Sequence, residues 1–184
     1  SKIRCAAQGP RLVRDYTRSA SLYMMDAAGK NLNEFLTIEG SPAVNPAFSP
    51  DGKTVLFQSR SGEDFLRGQF ELATVSASGG KHTVLTNDFD RDVSSPIWSA
   101  DGKTIYFTAS SVGDIPLYSI PASDGKISAV ISDDKGVNEF DLRGDRIVYA
   151  QTEMASPWEV HTMSLKDKKP MPLTRFNTDW LKDR

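Results

Sequence analysis

The chain has 184 residues, with 22 Lys and Arg against 24 Asp and Glu, 39% hydrophobic residues, two His and one Cys. That is enough chain for one domain's core, while a formal net charge of −2 with both signs interspersed gives no basic field for a phosphate backbone, so no nucleic-acid partner is expected. No run approaches the roughly 18 to 20 apolar residues of a spanning helix, the start Ser1-Lys2-Ile3-Arg4 lacks the apolar stretch of a signal peptide, and Cys5 alone makes neither an internal disulfide nor a thiolate metal site, so no membrane partner and no metal are expected.

In chain order, a partial first unit consists of a strand over residues 22–26, a turn at Ala28-Gly29 and a strand over 33–37. A second unit opens with residues 44–48, which lead through Asp51-Gly52 into 54–58. An Asp-Gly pair between β-branched and aromatic runs predicts a hairpin, because the glycine supplies the positive φ of a tight turn. Residues 70–76 then turn at Ser78-Gly79-Gly80 into 83–86. The third unit opens on Trp98-Ser99-Ala100-Asp101-Gly102-Lys103-Thr104-Ile105-Tyr106-Phe107 and continues with 117–120, the turn Ser123-Asp124-Gly125 and 127–131. The fourth runs 137–142, 146–151, 159–164 and 171–174. No stretch shows sustained helical periodicity with caps, so helix content should be low.

The units repeat. Phe48-Ser49-Pro50-Asp51-Gly52-Lys53-Thr54-Val55-Leu56-Phe57 returns 50 residues later, Gly52 to Gly102, and a degenerate copy at Phe140 to Tyr149 places Gly144 a further 42 residues on. A second landmark keeps step: Leu36-Thr37, Leu85-Thr86, Ile131-Ser132 and Leu173-Thr174 each close a unit. Four short strands every ~40 to 50 residues are the signature of β-propeller blades, whereas a β-sandwich has no reason to repeat one turn at a fixed interval. The expectation is an all-β, partial β-propeller over residues 1–184, with about three and a half four-stranded blades near 20–38, 43–87, 93–132 and 137–175, and an exit segment at 176–184. Such an incomplete ring cannot close on itself, which points to a larger protein, to pairing with a missing propeller half or to self-association.

The segment Asp88-Phe89-Asp90-Arg91 followed by Trp98 to Thr108 resembles the propeller of the prolyl oligopeptidase family of serine peptidases, in particular its dipeptidyl-peptidase and acylaminoacyl-peptidase branch. The end is similar too: Pro157-Trp158-Glu159-Val160, then Pro172-Leu173-Thr174-Arg175-Phe176-Asn177 and Leu181, resembles the last blade before the chain enters the hydrolase domain. Leu142-Arg143-Gly144-Asp145 departs from the full Ser-Pro-Asp-Gly-Lys turn. The resemblance implies a noncatalytic segment that gates and positions short peptides for an α/β-hydrolase domain absent from this chain, in a parent that is a serine exopeptidase exported to the bacterial periplasm or secreted. The blade motifs are shared with TolB-like propellers, which leaves a second reading, a protein-binding module without chemistry.

No catalytic residue is assigned. The thirteen glycines include no pair four apart, so a Gly-x-Ser-x-Gly elbow cannot occur, and His82 and His161 have no adjacent nucleophile. Asp88, Asp90 and Asp92 have the spacing that opens a calcium loop, but the sixth position is Val93 and the twelfth Ser99, so they read as a solvated loop. Trp98, Trp158 and Trp180 read as wedges between blades or under the exit segment. No Gly-x-Gly-x-x-Gly or P-loop pattern supports a cofactor. Because successive strands reverse, the loops after the second and fourth strand of each unit share one face. Those loops are longer and richer in charge than the Asp-Gly and Gly-Gly turns opposite. Glu63, Asp64, Arg67, Asp90 and Arg91 are therefore the candidates to face a peptide substrate, where a carboxylate can pair with a free amino end.

Overall fold

A computed structural model of the chain describes residues 2–8, 20–60, 68–123, 125–132, 135–153 and 156–177. Every regular element among them is a β-strand. β1 (Lys2–Gln8), β2 (Ala20–Asp26) and β3 (Asn33–Leu36) form a three-stranded antiparallel sheet. β4 (Ala43–Phe48), β5 (Thr54–Arg60), β6 (Phe70–Ser76) and β7 (Thr83–Val84) form the second sheet. β8 (Val93–Trp98), β9 (Thr104–Ala109), β10 (Leu117–Pro121) and β11 (Ser128–Ile131) form the third, and β12 (Gly136–Arg143), β13 (Arg146–Glu153), β14 (Ser156–Ser164) and β15 (Met171–Pro172) the fourth. Each four-stranded sheet is a meander in chain order, as propeller blades are. The strand the sequence reading does not assign is β1, which pairs with β2 from Lys2 opposite Asp26 to Gln8 opposite Ala20. Its Ala6-Ala7-Gln8 end has little β-propensity, and the pairing reveals it.

The repeated Asp-Gly turns are built by side chains as well as glycine. Ser49 Oγ donates to Asp51 Oδ1 at 2.6 Å and accepts the Thr54 N–H at 3.0 Å, while the same carboxylate takes the Lys53 N–H at 3.0 Å. Ser99, Asp101, Lys103 and Thr104 repeat the arrangement at 2.7, 3.0 and 2.9 Å. Gly52 and Gly102 sit at φ of 72° and 69°, left-handed backbone that a Cβ disfavours. In both turns the serine hydroxyl, first among several hydrogen bonds, holds the aspartate below the usual carboxylate range. The degenerate copy keeps only the glycine, Gly144 at φ 63°.

A second repeated device is a residue of positive φ in the first strand of a sheet. Asn45 and Ser95, each before a proline, have φ of 51° and 50°. Around Asn45 the β4–β5 register slips between Val44 and Ala47. The prolines are tolerated because β4 and β8 are edge strands. Asn45 Nδ2 donates to Gln58 Oε1 at 2.7 Å, and Gln58, itself buried, donates to the Val93 carbonyl at 2.7 Å.

The chain divides into two compact units, residues 1–93 and 94–184. In the first, Leu22 shares a core with Ala43, Val55, Phe57, Ala73 and Val75, and Leu36 packs against it. In the second, Leu117 and Ile131 share a core with Val137, Ile147, Tyr149 and Met163. Both cores join one sheet to the sheet that follows it, so the period in the sequence is a period of packing. Both histidines pack on core aromatics. His82 meets the Phe57 ring edge-on at 6.0 Å, and His161 stacks on Tyr149 at 5.7 Å.

Candidate functional site

Of the five candidate residues, Glu63, Asp64 and Arg67 lie outside the described residues, whereas Asp90 and Arg91 stand on the loop that follows β7. That loop is tied to the loop before β6. Gln69 Nε2 donates to Asp90 Oδ1 at 2.7 Å, and the Phe70 N–H donates to Asp92 Oδ1 at 2.6 Å. The two loops thus adjoin at one end of the second sheet. Asp90 is exposed, Arg91 half-buried with its guanidinium 5.8 Å from the centre of the Phe89 ring, and the Arg60 guanidinium lies 4.5 Å over Phe70. Asp88 takes the Asn87 side-chain amide at 3.3 Å. The three aspartates are each turned to a different protein donor instead of converging on one point, and among the described residues no cluster of His, Cys, Asp or Glu is arranged to hold a metal ion.

The last sheet holds a feature that the sequence reading missed. Glu159 of β14 is the anchor of the exit segment. Its Oε2 accepts the Thr174 hydroxyl, and its Oε1 accepts both the Asn177 N–H at 2.8 Å and the Asn177 side-chain amide at 3.1 Å. Asn177 also reaches the Trp158 carbonyl at 3.2 Å, and Thr174 Oγ1 takes the Val160 N–H at 2.8 Å. The Thr174 hydroxyl first, then the Asn177 N–H, hold the Glu159 carboxyl below the usual carboxylate range. This latch gives the Leu-Thr-x-Phe-Asn ending a physical meaning: its threonine and asparagine are the two donors that fold the chain back on β14. The signal was available, since Glu159 lies within the quoted Pro-Trp-Glu-Val run. Trp158 is not wedged between sheets; it stands 46% exposed beside this segment.

A cavity of about 380 Å³ in the first unit is lined by Met24, Met25, Asp26, Asn31, Glu34, Phe35 and Ser78 among others. It lies at the turns that follow β2 and β6, the end opposite Asp90 and Arg91, so the cavity and the candidate residues do not coincide.

No protein-family model matches the chain. Among curated proteins it is 26% identical over 132 residues to dipeptidyl-peptidase 5 of Porphyromonas gingivalis, a match that takes in 72% of this chain and 19% of that protein. The chain therefore spans about a fifth of the length of this relative. Among solved structures it is similar to the Pyrococcus horikoshii acylaminoacyl peptidase, with a TM-score of 0.76, 18% identity and coverage of 100% of this chain and 27% of that one. It is similar also to the β-propeller domain of the trilobed protease from Pyrococcus furiosus, at TM-score 0.74, 20% identity, 96% of this chain and 50% of that one. TolB from Acinetobacter baumannii matches at TM-score 0.66, 22% identity, 86% of this chain and 38% of that one. Fold and relatives define the class: an all-β chain of β-propeller blades, a domain of the kind that peptidases carry. Its sequence kinship within that class is with proteins called dipeptidyl-peptidase 5.

Proposed function

We propose that the chain is the noncatalytic propeller segment of a serine exopeptidase, positioning short peptides for a hydrolase domain that lies outside it. The observation that carries this reading is the exit latch. Three hydrogen bonds to one carboxylate fix the direction in which the chain leaves the last sheet, as a segment that must place a following domain requires. The kinship with dipeptidyl-peptidase 5 supports it. Asp90, exposed and braced by Gln69, is the group offered to a peptide's free amino end, with Arg91 next to it in the loop. Glu63, Asp64 and Arg67 belong to the same proposal through their place in the sequence between β5 and β6.

Titrating the chain with a short peptide, free or acetylated at its amino end, tests this reading by calorimetry or chemical-shift mapping. Weak binding of the free peptide, lost on acetylation and in Asp90→Asn, is expected. Equal response to both peptides removes the amino-end contact. The reading frame beyond Arg184 provides a second test, since a Gly-x-Ser-x-Gly elbow followed by Asp and His should appear there. Its absence, with peptide binding also absent, leaves the second reading, a TolB-like module that binds a folded partner, which the likeness to TolB supports.

A further inference from the structure

The two units share one register, so their residues can be compared place by place. Leu22 pairs with Leu36 and the register slips before Tyr23; Leu117 pairs with Ile131 and the register slips before Tyr118. Met24 and Asp26 of the first unit therefore stand where Ser119 and Pro121 stand in the second. The sheet that follows keeps step as well. The Ala77 N–H donates to the Lys53 carbonyl at 2.7 Å, as the Leu165 N–H does to the Asp145 carbonyl at 2.7 Å. The next N–H, of Ser78 or Lys166, donates to the Ser76 or Ser164 hydroxyl at 3.2 Å. Ala77 and Ser78 thus take the places of Leu165 and Lys166.

In the second unit this corner is filled, because Leu165 packs against the core of Val137, Ile147 and Met163. The first unit leaves it open. With an alanine in place of the leucine, the cavity of about 380 Å³ remains between the first sheet and the turn after β6, a size that suits a small molecule. The charge differs along with the volume. Ser78 stands for Lys166 and Asp26 for Pro121, and the two charged residues that line the cavity, Asp26 and Glu34, are both acidic. Met24, Met25 and Phe35 supply the apolar part of the wall. All of the lining residues belong to two consecutive sheets and their turns, so the cavity lies between neighbours and is not the bare face of an outer sheet.

Asp26 is held in place by its own turn. Its Oδ1 accepts the Ala28 N–H at 3.0 Å and the Lys30 N–H at 2.8 Å, and its Oδ2 accepts the Asn31 side-chain amide at 3.0 Å. A carboxylate oxygen has two acceptor sites, so Oδ2 keeps one for a further donor. Glu34 is exposed, and its Oε2 accepts the Tyr23 hydroxyl at 3.5 Å, a long bond that a charged donor displaces. We propose that this cavity binds a small organic cation, an alkyl- or arylammonium whose apolar body lies against Met24, Met25 and Phe35 and whose ammonium group pairs with the Asp26 and Glu34 carboxylates. The proposal does not rest on the peptidase reading. Asp90 stands at the other end of the second sheet, so either site can fail while the other holds.

Nuclear magnetic resonance of the chain with isotope-labelled methionine methyl groups tests it, with phenethylammonium as the ligand and neutral phenethyl alcohol and anionic hydrocinnamate as its uncharged and oppositely charged counterparts. The expected result is a saturable shift of the Met24 and Met25 methyl signals at millimolar phenethylammonium, about tenfold weaker binding of the alcohol, and no response to hydrocinnamate. Ala77→Leu gives the first unit the side chain that Leu165 supplies in the second. It should abolish the shift and leave the far-ultraviolet circular dichroism unchanged. Glu34→Gln, at an exposed position, should weaken the ammonium several-fold without changing the response to the alcohol, and it decides the matter by itself if Ala77→Leu does not fold. Absence of any methyl shift, an alcohol that binds as well as the ammonium, full binding by Glu34→Gln, or binding that survives in a folded Ala77→Leu would each overturn the proposal.

Discussion

The second and last sheets are built on one plan and part at the threonine that ends each. In each, a glutamate precedes the aliphatic residue of the third strand, Glu71 before Leu72 and Glu159 before Val160, and that residue's N–H donates to a threonine hydroxyl, Thr86 or Thr174. From there the chains part. After Thr86 the loop runs on to Asp90 and Asp92, which bond Gln69 and the Phe70 N–H and leave Glu71 buried. After Thr174 the chain folds back, so that the threonine and Asn177 both donate to Glu159. Burial raises the Glu71 carboxyl above its ordinary value and hydrogen bonds lower that of Glu159. The strand position alone sets neither value.

The largest effect expected from this comparison is at the leucines that close the two sheets. Leu85→Ala removes a side chain 6% exposed and should lower stability by about 2 to 5 kcal/mol. The same truncation at Leu173, 56% exposed, should stay within about 0.5 kcal/mol for the dilute chain. Chemical denaturation of both variants checks this, and equal losses would remove the contrast between the two sheets. Next comes the hairpin turn, which the second sheet has in full and the last sheet has only as a glycine. Ser49→Ala deletes a buried hydroxyl that accepts the Thr54 N–H and donates to Asp51, and about 1 kcal/mol should be lost. A negligible loss would mean that the glycine alone makes the turn.

These same residues show what the sequence discloses. The Asp-Gly turns, the β-branched runs after them and the Leu-Thr landmarks are local, and each forces one conformation, so four sheets and the propeller class were readable from them. The positive-φ residues Asn45 and Ser95 stand before Pro46 and Pro96, 50 residues apart, but a residue before proline reads as extended, and the sequence alone does not show the left-handed turn or the β4 register slip. β1 needed its partner strand to be seen. The candidate site was legible only as a set of charged loops, of which the structure describes Asp90, bonded to Gln69, and Arg91. The Glu159 latch joins residues 15 and 18 apart in the chain, and no periodicity announces a contact between a strand carboxylate and the segment that leaves the sheet.

Two glutamate variants separate the sheets by pH. Glu159 has a lowered carboxyl, so its latch stabilises the folded chain above about pH 4.5, the ordinary value, and is lost as pH falls through the lowered one. Glu159→Gln turns charge-assisted bonds into neutral ones and should lower the thermal midpoint at pH 7, with the deficit shrinking toward acid. Loss of exchange protection at the Asn177 amide would localise the change to the exit.

The smallest effect, and the one of opposite sign, belongs to Glu71. Its carboxyl is raised by burial, so between about 4.5 and the raised value the folded chain binds the proton that the unfolded chain has released, and stability falls as pH rises through that window. Above the window the cost of the buried charge is fully present; below 4.5 it is absent. Glu71→Gln removes the charge with little change of shape and should raise the midpoint slightly at pH 7 while leaving it unchanged at pH 4. Midpoints measured at the two values decide it. A drop at pH 7 would show that the Glu71 carboxylate is held by a donor after all, and the two sheets would then differ in which donor they use, not in whether they use one.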